Sequence, residues 1–194
     1  MMAKPLGVHE DIETTPRRTL FRLMGVPFNI TPQGWIGTLQ PFFGGAVLGV
    51  LLSIGDSIGA MALNGLWVGV LVVASVYMHS IGHIVGGKLV GAPMDELLLT
   101  MTRQVNVYRG AQDYPSKVHL ARAMGGPIGN MLLGLVLLAG WLLLGGLPLV
   151  VMGVGNIVGG LGAALAPIPT VDGEILYREL GKLAERRKSE ALKH

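Results

Sequence analysis

Apolar residues run almost without interruption through four stretches of the chain, about 36 to 62, 65 to 90, 124 to 145 and 147 to 167. Each reaches the roughly 20 residues that a helix needs to cross a hydrocarbon core, so the pattern predicts four membrane spans. Polar positions collect between and beyond them. Residues 1 to 35 read as an N-terminal tail at the cytoplasmic and interfacial side, 36 to 172 as the membrane domain, and 173 to 194 as a C-terminal amphipathic helix. In that last helix Ile175, Leu176, Leu180, Leu183 and Ala184 recur among charges at helical spacing. It suits either a solvated or headgroup-lying tail or a partner-binding helix.

Two short stretches follow a different period. In GVPFNITPQGW, Pro27, Pro32 and Gly34 oppose a regular helix and the alternating apolar residues predict a short strand, with Trp35 at headgroup level. Residues 93 to 110 end in the partly alternating T-R-Q-V-N-V-Y, which predicts a strand or hairpin. The expected fold class is therefore an all-α polytopic membrane protein of about four helices with a short interfacial strand or hairpin. Glycines four apart (45 and 49, 55 and 59, 82 and 86, 125 and 129, 155 and 159) predict close helix packing.

Composition sharpens this picture. Hydrophobic residues make up 51% of the chain and charged ones 14%, with a mean hydropathy of +0.55, which excludes an ordinary soluble domain. The net charge of +3 would suit a nucleic-acid partner, but its distribution argues for none. Every Lys and Arg lies before residue 23, between 88 and 122, or after 177. With four spans those segments share one side, which the positive-inside rule makes cytoplasmic. The expected location is a bacterial-type inner membrane or its equivalent, with both termini in the cytoplasm. The first 30 residues carry Glu10, Asp11, Glu13, Arg17 and Arg18 and show no cleavable signal, leaving the first span as the insertion signal. The absence of cysteine excludes disulfides and thiolate metal sites.

The segment MHSIGH places His79 and His83 at i and i+4 in an apolar helix, on one face and able to converge on one ion. The same pair also reads as hydrogen-bonded interior histidines. Asp172, in APIPTVDGE, offers a third ligand from irregular backbone after Pro167 and Pro169, or simply an Asp-Gly turn or helix cap eased by Gly173. In ARAMGGPIGN, Pro127 is expected to open a helix, with Asn130 in its first turn either bonding nearby backbone or capping. Asp56 lies near the outer end of the first span and reads as an interfacial acid or a functional one.

Taken in order, these pieces resemble the site-2 protease family of intramembrane zinc metalloproteases. That family carries a His-Glu-x-x-His helix, a Gly-Pro-x-x-Asn helix and an Asn-x-x-Pro-x-Pro-x-x-Asp-Gly segment. The counterparts here are His79, Ser80, Gly82 and His83; Gly126, Pro127 and Asn130; and Pro167, Pro169, Asp172 and Gly173. The likeness runs from about residue 20 to 180, including LFRLMGVPFNITPQGW before the first span. It implies a zinc site formed by His79, His83 and Asp172.

The departures bear on activity. The family's glutamate acts as general base toward the attacking water, and Ser80 stands in its place. A serine hydroxyl does not accept a proton at neutral pH without a base of its own. Ala164 replaces the asparagine of the third motif, and Thr170, Val171 and Glu174 replace its usual Pro, Leu and Gly. Glu174 is the nearby carboxylate that would have to substitute, although at a helix start it is expected to face backbone amides.

The expected function is accordingly a pseudoprotease acting as a structural, assembly or regulatory subunit of a membrane protein complex. The alternative is an active metalloprotease with an unusual base. A haem or chlorophyll-type pigment is a poorer reading, because two histidines on one helix face cannot sandwich a macrocycle.

Overall fold

The computed structural model describes residues 14–109, 114–168 and 172–191. Glu10, Asp11, Glu13, Pro169, Thr170, Val171 and residues 192–194 therefore lie outside the described residues. The elements, in order, are β1 (Arg18–Leu23), β2 (Val26–Ile30), α1 (Gly34–Leu51), α2 (Ile58–Leu89), β3 (Glu96–Leu99), β4 (Gln104–Val107), α3 (Ser116–Leu144), α4 (Leu147–Leu165) and α5 (Asp172–Ala191). Helices α1 to α4 are each long and apolar enough to cross a membrane, and at most 28% of any span's most apolar window is buried within the protein. Outer faces this apolar need lipid around them. The chain is an integral membrane protein.

Helix limits differ from the sequence reading in three places. The first break, expected near 61 to 66, falls at 52–57, where Gly55 has φ +103° and Ser57 caps α2 by accepting from the Ala60 amide. Apolar residues flank this turn on both sides, so hydropathy alone hid it. Helix α2 consequently has 32 residues, and His79 lies 21 residues beyond its start, roughly 32 Å at the standard rise. Helix α3 starts at Ser116 rather than 124, so Pro127 does not open a helix but sits inside one. It removes one internal hydrogen bond, which packed membrane helices tolerate. Asp172 is the first residue of α5 rather than part of irregular backbone.

The expected strand and hairpin are parts of one four-stranded sheet, ordered β1-β2-β3-β4. Strand β1, which had been read as tail, pairs antiparallel with β2. Their two-residue connection, Met24 (φ 51°) and Gly25 (φ 83°), has the positive angles of a type I′ hairpin turn. Strands β2 and β3 run parallel, which demands a long crossover. The α1–α2 hairpin supplies it, leaving the sheet and returning. Phe28, Ile30, Leu97 and Leu99 pack on Ile84 of α2, fixing the sheet against the helix turn that carries the histidines. Buried Glu96 ties the strands together, accepting from Arg17 (2.5 Å), Arg109 (2.6 Å) and Asn29.

Helix α5 docks on the start of α3 through Glu179, which is 1% exposed. Its carboxylate accepts from Lys182 (2.7 Å), Arg178 (3.0 Å) and Ser116, the first residue of α3. An acid at a helix N-terminus is favoured by the exposed amides there.

Candidate metal centre

Helices α2 and α3 cross at backbone distance. A Cβ on Gly82 would overlap the Gly125 carbonyl, and one on Gly125 would overlap the Gly82 carbonyl. Only glycine permits this approach, which sets Gly126 directly over the imidazoles. A Cβ at 126 would overlap Nε2 of both His79 and His83.

The two Nε2 atoms lie 3.1 Å apart. Asp172 Oδ2 lies 3.0 Å from His79 Nε2, and Oδ1 lies 3.2 Å from His83 Nε2. His83 is 3% exposed, and its Nδ1 lies 2.8 Å from the Arg122 carbonyl, which can only accept. The proton of neutral His83 is thereby assigned to Nδ1, and its Nε2 presents a lone pair. His79 Nδ1 is buried without a hydrogen-bond partner. Two ring nitrogens and a carboxylate thus converge on one point, where they could share a cation.

Gly173 brings the acid into place. A Cβ there would overlap the Ala166 carbonyl, so α5 turns back tightly after α4. Burial pushes the Asp172 carboxyl up, but hydrogen bonding led by His79 outweighs it and brings it down to about 2. The group is ionised at neutral pH.

Ser80 is 4% exposed and donates to Gln104 Oε1 of β4 at 2.7 Å. Two cavities meet at the centre and share His83, Gln104, Asn106 and Asp172 in their walls. The smaller, 430 Å³, also has His79, Ser80, Asn130 and Ala163. The larger, 720 Å³, also has Tyr108, Arg122 and Glu174. Asn130 Oδ1 is buried without a partner. Pro127 is buried against α4, its carbonyl close to Gly160. Asp56 is exposed in the 52–57 link, apart from this cluster.

Sequence reasoning missed Gln104, the partner of Ser80, and the stacking of the Arg122 guanidinium over Tyr108 at 3.4 Å. It also missed Asn156, which donates to Ser75 (2.9 Å) within the bundle. Arg122 and Asn156 carried a signal, as polar residues in or beside apolar helices. Gln104 carried none.

His79, His83 and Asp172 each offer one ligand atom, and these atoms lie within 4.8 Å of one another. Two imidazole nitrogens and a carboxylate oxygen suit zinc at a site that keeps a further position open. The residues present fit such an ion.

No protein-family profile matches the chain, and comparison with curated proteins finds no match. Among solved structures the fold is similar to that of the Site-2 Protease from Methanocaldococcus jannaschii. The TM-score is 0.55 at 24% identity, over 85% of this chain and 71% of that one. The likeness is one of fold, shared across most of both chains.

Proposed function

We propose that this chain is a zinc-binding membrane protein of the site-2 protease fold that has lost proteolysis and serves as a structural, assembly or regulatory subunit of a membrane complex. The observation that carries this reading is the Ser80–Gln104 hydrogen bond. At the position where the resemblance expects a general base, the side chain is a buried hydroxyl whose proton is already given to a neighbouring amide. His79, His83 and Asp172 would hold the metal. When bound, the metal would supply Lewis-acid polarisation. Asp172 faces both histidines, which leaves it no freedom to shuttle protons. The open faces at Gly155 and Gly159 of α4, with nothing within 4 Å of an added Cβ, suit packing against another helix.

A second reading draws on Glu174, which lines the larger cavity together with His83 and Asp172. In that reading Glu174 is the base of an active protease. Purified wild type, Ser80→Glu and Glu174→Gln, offered a transmembrane peptide with and without chelator, separate the two. Chelator-sensitive cleavage gained only in Ser80→Glu supports the pseudoprotease. Cleavage by wild type that is lost in Glu174→Gln supports the enzyme. Metal content near one zinc per chain in wild type is expected in both, and its absence would overturn the metal assignment. Native separation in mild detergent tests the subunit role: co-migration with other proteins is expected, and a lone monomer would count against it.

A further inference from the structure

Helix α1 has little length to spare. Its 18 residues, Gly34–Leu51, rise about 27 Å against a hydrocarbon core of roughly 30 Å. Crossing that core takes the whole helix, which sets its first turn at the boundary between acyl chains and headgroups. Trp35, in that turn, is 53% exposed, and an indole is favoured at this depth. From it an exposed apolar stripe descends at four-residue intervals through Leu39, Phe43, Val47 and Leu51. Gly45 and Gly49 face the other way, in backbone-close contact with α2, so the stripe is turned out of the bundle and toward lipid.

A cavity of 400 Å³ lies at the head of this stripe, between the start of β1 and the start of α1, with Arg18, Ile30, Pro32 and Trp35 in its wall. Among the described residues no carboxylate lines it. Arg17, also in the wall, gives its guanidinium to Glu96 at 2.5 Å. Arg18 is exposed, and its side chain makes no ion pair or hydrogen bond among the described residues. An uncompensated positive charge and an indole thus share one recess at headgroup depth.

We propose that this recess seats the phosphate of a membrane glycerophospholipid against Arg18, with the acyl chains running down the exposed stripe of α1. Recess and stripe are continuous through Trp35, and a phosphate joined to acyl chains is the chemistry that fits both at once. A soluble phosphate would use the recess and leave the stripe uncovered. A single exposed guanidinium holds a free anion weakly, but lipid already carries its phosphate to this depth, so a modest attraction suffices to select the site. The site is independent of bound zinc and of whether the protein cleaves peptides.

The test uses the full chain, delipidated in a non-ionic detergent at constant ionic strength. Thermal midpoints are followed against dioleoyl phosphatidylglycerol, dioleoylglycerol, which lacks the phosphate, and glycerol phosphate, which lacks the chains. A ligand that binds the folded state raises the midpoint with its concentration. Phosphatidylglycerol is expected to do so at a lower mole fraction than dioleoylglycerol, and glycerol phosphate to have no effect. Arg18→Gln removes an exposed side chain without a described partner, so the fold should survive it. About fivefold more phosphatidylglycerol should then be needed for half the effect, the scale of one Arg near a lipid surface. Arg22→Gln makes the same change of charge on the same strand, at a side chain that reaches the Gly25 carbonyl (3.4 Å) and lies outside the recess. It should bind lipid as wild type does. No stabilisation by phosphatidylglycerol, or equal stabilisation by dioleoylglycerol or by glycerol phosphate, would overturn the proposal. So would an equal loss in Arg22→Gln, which would mean general attraction of surface charge rather than a site.

Discussion

At position 126 a single methyl group would fall on Nε2 of both His79 and His83. Gly126→Ala should therefore weaken zinc binding by roughly 10- to 100-fold, the scale of a displaced ligand support. It should also destabilise by about 1–3 kcal/mol through overpacking, despite the ~1 kcal/mol that alanine otherwise gains over glycine in a helix. Gly159→Ala, with open space around it, should leave both unchanged or slightly improved. Chelator competition and thermal unfolding read the two effects separately. The histidine pair was legible in the sequence because i, i+4 spacing is a local rule. The Ser80–Gln104 bond was not, since it joins a helix to a strand 24 residues away and no periodicity encodes such a pairing.

Helix α5 was legible as an amphipathic helix, but its docking was not. The pattern reported an apolar face, whereas the attachment also uses a buried acid, Glu179, against the start of α3. Burial pushes that carboxyl up, but hydrogen bonds from Lys182, Ser116 and Arg178 outweigh it and hold it at about 2. A value below the unfolded one, about 4.3, means that the stabilisation is fully present above about pH 4.3 and is lost as pH falls through about 2. Limited proteolysis of α5 should thus be slower in wild type than in Glu179→Gln at pH 6, with the difference vanishing toward pH 2. A constant difference would mean that the acid does not anchor the helix. The other elements divide in the same way. Strands β2 and β4 showed in their alternation. In β1 it was obscured by Arg18 and Arg22, and the first turns of α3 by the polar run SKVHLARA, because a search for spans discards helical residues that carry charge.

At the scale of the whole molecule, the charge distribution makes a topological prediction. The chain has no cysteine, so Asp56→Cys and Arg18→Cys introduce unique labels at two exposed positions. The positive-inside rule predicts that an impermeant thiol reagent outside right-side-out vesicles labels the first and not the second. The reverse pattern would invert the orientation.

The sequence by itself determined that this protein lives in a membrane, that its basic residues flank its apolar helices in pairs rather than one by one, and that two histidines share a helix face. Those properties follow from composition and local period, which act within a few turns of chain. Only the tertiary structure decided that β1 to β4 form one sheet across the α1–α2 crossover. It also decided that glycines at the α2–α3 crossing admit a backbone over the imidazoles, and that Asp172 reaches them from the first turn of α5. These depend on contacts between residues distant in sequence, where the shape of one surface selects the other.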